Sequence, residues 1–126
     1  MPKLIGLFHR KDGLSAAEFR DYYENHHAPF AMSHFAHLFA SYTRNYVDAP
    51  YADDGAPSHH DGVDVVTEIV FHDESAMHEM FAMAEQDPSL RGAIAADEAA
   101  FMNREANRIL LVTDHESSAG PGPAEY

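Results

Sequence analysis

Four short apolar runs set the frame of this chain: Lys3 to Arg10 (KLIGLFHR), Ala40 to Val47, Asp64 to Phe71 (DVVTEIVF) and Arg108 to Thr113 (RILLVT). Each has the length of a strand and carries the β-branched or aromatic residues that suit a pleated, half-buried surface. Helical periodicity fills the first and third gaps but not the second, so the elements follow as β-α-β-β-α-β. With 126 residues there is room for one domain with one core.

The first helical gap opens after the turn Lys11-Asp12-Gly13. Ser15-Ala16-Ala17-Glu18 has the form of a capping box, which predicts a helix start at that point. Phe19, Tyr22, Tyr23, His26 and Phe30 then recur at spacings of three and four, an aromatic stripe along one helix face. Pro29 lacks an amide hydrogen and crowds the preceding turn, so this helix is expected to end or bend near His27-Ala28, ahead of a second helical piece from Phe30 to Leu38. In the third gap, Asp73 caps a helix bearing Met77, Met80, Phe81 and Ala84. Asp87-Pro88 opens another short helix bearing Leu90, Ile94, Glu98 and Phe101. The stretch from Asp48 to Gly62 is dense in turn residues and predicts a long loop, and residues 116–126 form a polar Gly/Pro tail expected to be flexible, which leaves 1–115 as the domain.

This order is that of an α+β, ferredoxin-like fold with a four-stranded antiparallel sheet and helices on one face. Val65, Ile69, Ile109, Leu110, Leu111 and Val112 place apolar groups on both faces of such a sheet, so its bare side is expected to be buried in a homodimer. Eight Lys+Arg against 21 Asp+Glu give a net charge of −13, which repels phosphate backbones and anionic lipid and argues against nucleic acid or membrane as partner. The absence of Cys excludes disulfides, thiol nucleophiles and thiolate metal sites. The start MPKLIGLFHRKDG has no apolar run of signal or spanning length, so a cytoplasmic location is expected.

Phe19, Tyr23 and His27 stand at i, i+4 and i+8 and can present an imidazole to a cavity walled by rings, with Phe30 beyond the bend. His27 is the candidate acid or base, because histidine changes charge near neutrality; His26 points about 100° away around the helix. Tyr42 and Arg44 share one side of the second strand, and Asp64 and Glu68 one side of the third. Tyr42 can polarise a carbonyl or phenol, Arg44 can bind an acid substituent, and Asp64 or Glu68 can orient the imidazole. His34-x-x-His37 and His59-His60-Asp61 are fragments of metal-ligand spacing, neither of them a closed signature, and no metal is expected.

The run Phe19-x-x-x-Tyr23-x-x-x-His27-Ala28-Pro29-Phe30, preceded by Arg10-Lys11-x-Gly13-Leu14-Ser15 and followed by Asp97-Glu98-x-x-Phe101, resembles the EthD family of dimeric α+β barrels over residues 3–116. The resemblance implies two ferredoxin-like protomers whose sheets form a barrel, with a small-molecule pocket between helices and sheet in each. It implies dehydration, decarboxylation, cyclisation or isomerisation of an aromatic, polyketide-like or lactone compound. In that reading His27, Tyr42 and Asp64 carry a cofactor-free lyase or isomerase reaction and Phe19, Tyr23, Phe30, Arg44 and Glu68 bind the substrate. Two alternatives stay open: a non-catalytic small-ligand-binding protein, and a haem-dependent or cofactor-free oxygenase, although no haem motif is present.

Overall fold

The computed structural model describes residues 1–48 and 62–123. Strands β1 (Lys3–Phe8), β2 (Phe39–Tyr46), β3 (Val65–Phe71) and β4 (Arg108–Val112) form one antiparallel sheet in the order β2-β3-β1-β4. One face carries helices α1 (Ala16–Tyr22), α2 (Ala28–Phe35), α3 (Glu74–Gln86) and α4 (Pro88–Phe101). This is the ferredoxin-like α+β arrangement that the order of apolar runs predicts. The expected loop from Asp48 to Gly62 and the end of the tail lie almost wholly outside the described residues, and residues 113–123 are exposed and take no helix or strand.

Helix starts follow local chemistry. Ser15 Oγ accepts the Glu18 amide at 3.1 Å and Glu18 Oε1 accepts the Ser15 amide at 3.0 Å, completing the capping box. The Asp73 carboxylate accepts the Ala76 amide at the start of α3, and Asp87 accepts the Ser89 and Leu90 amides at the start of α4. At Pro29 the chain widens where the sequence predicts an end or a bend. Residues Tyr23–His27 form a π-helical turn in which the Ala28 amide bonds to Tyr23 O, and α2 follows directly. One extra residue in the turn moves away the carbonyl that the proline ring would strike.

The core consists of two clusters. Phe35, Leu38, Phe39, Phe71, Met77 and Leu90 fill one end, and Phe8, Phe19, Tyr23, Val65, Phe101 and Met102 the other. Tyr42 packs against both. Strand alternation sends Val65, Thr67 and Phe71 into this layer, where they are buried. The opposite face carries Ile5, Leu7, Val66, Val70, Leu110 and Val112, and Leu110 is 44% exposed. Among the described residues no helix is long and apolar enough to cross a membrane.

Candidate active site

Where the two core clusters meet, an apolar cavity of about 220 Å³ separates the helices from the sheet. Tyr23, His27 and Phe30 line it from the π turn and α2, Phe8, Tyr42, Thr67 and Ile69 from the sheet, and Met80, Ile94 and Glu98 from α3 and α4. Two backbone irregularities shape it. A bulge between Phe39 and Ser41 shifts the phase of β2, so that both Phe39 and Tyr42 face the cavity although strict alternation would turn one of them out. At Gly6 the absent side chain makes room for the Phe8 ring, which a Cβ there would strike.

The His27 ring stands edge-on to Tyr23 at 5.0 Å and tilted against Phe101 at 5.1 Å. Its Nδ1 lies 2.5 Å from Asp97 Oδ2, with the two side chains only 12% and 13% exposed. The other oxygen, Asp97 Oδ1, accepts the Tyr22 hydroxyl at 2.9 Å, and Tyr22 in turn stacks on Phe101. Burial, and after it the Asp97 hydrogen bond and charge, push the Tyr22 phenol up, so it remains a donor to that carboxylate. Nε2 of His27 makes no hydrogen bond to any described residue. With Nδ1 anchored, it is the nitrogen left for a ligand.

Glu98, next to Asp97 on α4, also lines the cavity. Its side chain is 23% exposed, and its ionic partner among the described residues is Arg104 at 3.9 Å. Burial raises the carboxyl above its ordinary range, opposed in part by Arg104 and His27. On the sheet side, Tyr23 Oη lies 2.7 Å from Thr67 Oγ1 and 2.9 Å from Tyr42 Oη. Burial pushes the Tyr23 phenol up to about 12 and raises Tyr42 as well.

Of the residues singled out in the sequence, His27, Tyr42, Tyr23 and Phe30 line the cavity together. Phe19 does not; it is buried behind them against Phe101 at 5.3 Å. Arg44 is turned aside. Its guanidinium grips Glu24 at 2.7 and 3.0 Å and lies 4.7 Å over the Tyr42 ring, while Tyr46 donates to the same carboxylate at 2.5 Å. Asp64 and Glu68 are not brought to His27. Asp64 sits before β3 and accepts the Arg10 amide at 2.8 Å. Glu68 shares the outer sheet face with Ile5 and Thr43 and bonds to Asn45 and Lys3. Alternation decides this, because Val65, Thr67, Ile69 and Phe71 take the helix side. The carboxylate beside the imidazole is therefore Asp97, which sequence reasoning placed in the motif but gave no role, and Thr67 and Glu98 were likewise missed. Adjacent acids on the last turns of a helix with an apolar face are the signal that could have found Asp97 and Glu98. His34 packs on Phe30 at 4.8 Å, and among the described residues no three His, Asp or Glu side chains gather as metal ligands. His59-His60-Asp61 lies outside the described residues.

A four-stranded ferredoxin-like sheet with a carboxylate-held histidine on an apolar cavity defines a small α+β protein with a pocket between its helices and its sheet. Residues 11–105 match the EthD domain, and the chain belongs to the EthD family. Its fold is similar to that of the Arabidopsis thaliana protein At3g17210. The crystal structure of that protein under ensemble refinement gives a TM-score of 0.62 at 13% identity, covering 94% of this chain and 100% of that one. Its solution structure gives 0.53 at 16% identity, covering 95% and 91%. At such identities the likeness is one of fold. No functionally curated protein matches the sequence.

Proposed function

We propose that this EthD-family protein is a cofactor-free enzyme in which His27 moves a proton on a small apolar ring compound, in a dehydration, decarboxylation, cyclisation or isomerisation of an aromatic, polyketide-like or lactone substrate. The observation that carries this reading is the His27–Asp97 contact at the wall of the cavity. A carboxylate on Nδ1 favours the tautomer with its hydrogen there, which leaves the Nε2 lone pair for the ligand and stabilises the imidazolium once a proton is taken. The cavity is about one and a half times the ~150 Å³ apolar cavity that takes up benzene, a size that suits one or two fused rings.

The test needs no natural substrate. 1-Tetralone, a two-ring ketone with acidic hydrogens beside its carbonyl, is incubated with the protein in D2O and its α-hydrogen exchange followed by NMR. Exchange accelerated by the protein, and reduced about 100-fold or more in His27→Ala, is the expected result. Binding without exchange would favour the non-catalytic ligand-binding reading, and exchange unaltered by the substitution would overturn the role of His27.

The apolar outer face of the sheet supports a second part of the reading, a homodimer that pairs two copies through that face. Ile5, Leu7, Val66, Val70, Leu110 and Val112 lie on it, and among the described residues no helix or strand covers them.

A further inference from the structure

The hydroxyls of Tyr42, Tyr23 and Thr67 form a chain of three oxygens joined by two contacts, of 2.9 and 2.7 Å. Three hydroxyls bring three hydrogens, and two contacts use two. Whichever way the chain runs, one O–H is left to donate, and none of the three bonds to any other described group. All three residues line the cavity. Thr67 and Tyr23 are 1% and 0% exposed, so Tyr42, which is half-buried, is the end that a ligand can reach. Its ring is clamped before any ligand arrives, by the Arg44 guanidinium on its face at 4.7 Å and by Phe39 at 5.7 Å. A buried donor without an acceptor is costly, so this end of the cavity gains most from a ligand that places an acceptor there.

Resting on the proton-transfer reading above, we propose that the Tyr42–Tyr23–Thr67 chain is the oxygen-recognition end of the cavity, and that the ligand is an apolar one- or two-ring compound whose carbonyl oxygen accepts the Tyr42 hydroxyl. Donation then runs in one direction, from Thr67 to Tyr23 to Tyr42 to the carbonyl, each bond polarising the next. A ketone held there carries its acidified C–H bonds within the same cavity as His27.

The closing experiment compares 1-tetralone with tetralin, the same two rings without the oxygen, by NMR titration of the full chain. The wild type binds the ketone about tenfold more tightly. In Tyr42→Phe the two affinities converge while tetralin binding persists; Thr67→Val, which only shortens the chain, weakens the preference less than Tyr42→Phe does. The carbonyl carbon of bound 1-tetralone moves downfield in the wild type, a readout that survives if the Tyr42 variant fails to fold. Equal affinities in the wild type, a preference retained in Tyr42→Phe, or an unmoved carbonyl resonance would each overturn the proposal. Failure of both probes to bind would overturn the ligand class. His27→Ala separates the two readings: it retains the preference for the ketone if the hydroxyl chain is right, whether or not exchange is lost.

Discussion

His27 Nδ1 and Asp97 Oδ2 are 2.5 Å apart across a sequence separation of 70 residues. The histidine comes from a π turn between two helices and the carboxylate from the last turns of α4, so the pair exists only when these two helical segments pack against each other. Phe101 lies against His27, Tyr22, Tyr23 and Phe19 and ties the pair to the core.

Asp97→Asn keeps the size of the side chain and reverses the hydrogen-bond logic. An amide NH2 donates to Nδ1 and moves the imidazole hydrogen to Nε2, which removes the base. Proton exchange into 1-tetralone should fall about 100- to 1000-fold while tetralin binds within about twofold of the wild type, both measured by NMR.

Glu24 is held at about 2, below the 4.5 of an ordinary glutamate, first by its hydrogen bonds from Arg44. Above pH 4.5 the carboxylate is ionised in both folded and unfolded chains and its stabilisation is complete. As pH falls towards 2 the unfolded chain takes up a proton that the folded chain refuses, and stability is lost. Glu24 is 37% exposed, so solvent screening cuts the effect to about 1 kcal/mol. Urea melts should show Glu24→Gln less stable than the wild type at pH 6, with the gap closing by about pH 2.

Glu98 has the opposite sign. Its carboxyl is raised by burial, so its contribution is intact below 4.5 and is lost as pH rises and the charge must be carried in a partly dry site. Glu98→Gln should therefore melt roughly 1–3 °C above the wild type at pH 7 and show no gain at pH 4. Paired thermal scans at the two pH values check it.

Phe101 is fully buried among four rings. Phe101→Ala should cost about 3–5 kcal/mol through lost burial and the cavity left behind, seen in urea denaturation. It should also weaken probe binding, since it loosens the packing behind His27.

Leu110 lies on the bare sheet face, on the edge strand β4 beside Ile5, and is 44% exposed. If that face pairs two copies, Leu110→Glu should convert a dimer into a folded monomer in sedimentation, because an unpaired carboxylate would have to be buried in the interface. A wild-type monomer at micromolar concentration would remove the dimer from the proposed function.

The sequence by itself determined the elements and their order. Its strand runs, the Ser15 box and the Asp73 and Asp87 caps depend on neighbours within a few positions, and local chemistry of that kind is written in the chain. It also placed His27, Tyr23, Phe30 and Tyr42 on faces that meet at the cavity, because helical and strand periods hold over short distances. Tertiary structure alone decided which carboxylate reaches the imidazole. Glu68 was placed on the right strand and Asp64 falls just before it, but which strand face meets the helices is fixed by burial of Val65, Thr67 and Phe71 together, and that choice turns Glu68 outward. The bulge before Ser41 and the π turn at Tyr23–His27 each shift a local phase by one residue. Such shifts are stabilised by packing across layers rather than by the residues that undergo them. For the same reason Arg44 is occupied by Glu24, and Asp97, far along the chain, becomes the partner of His27.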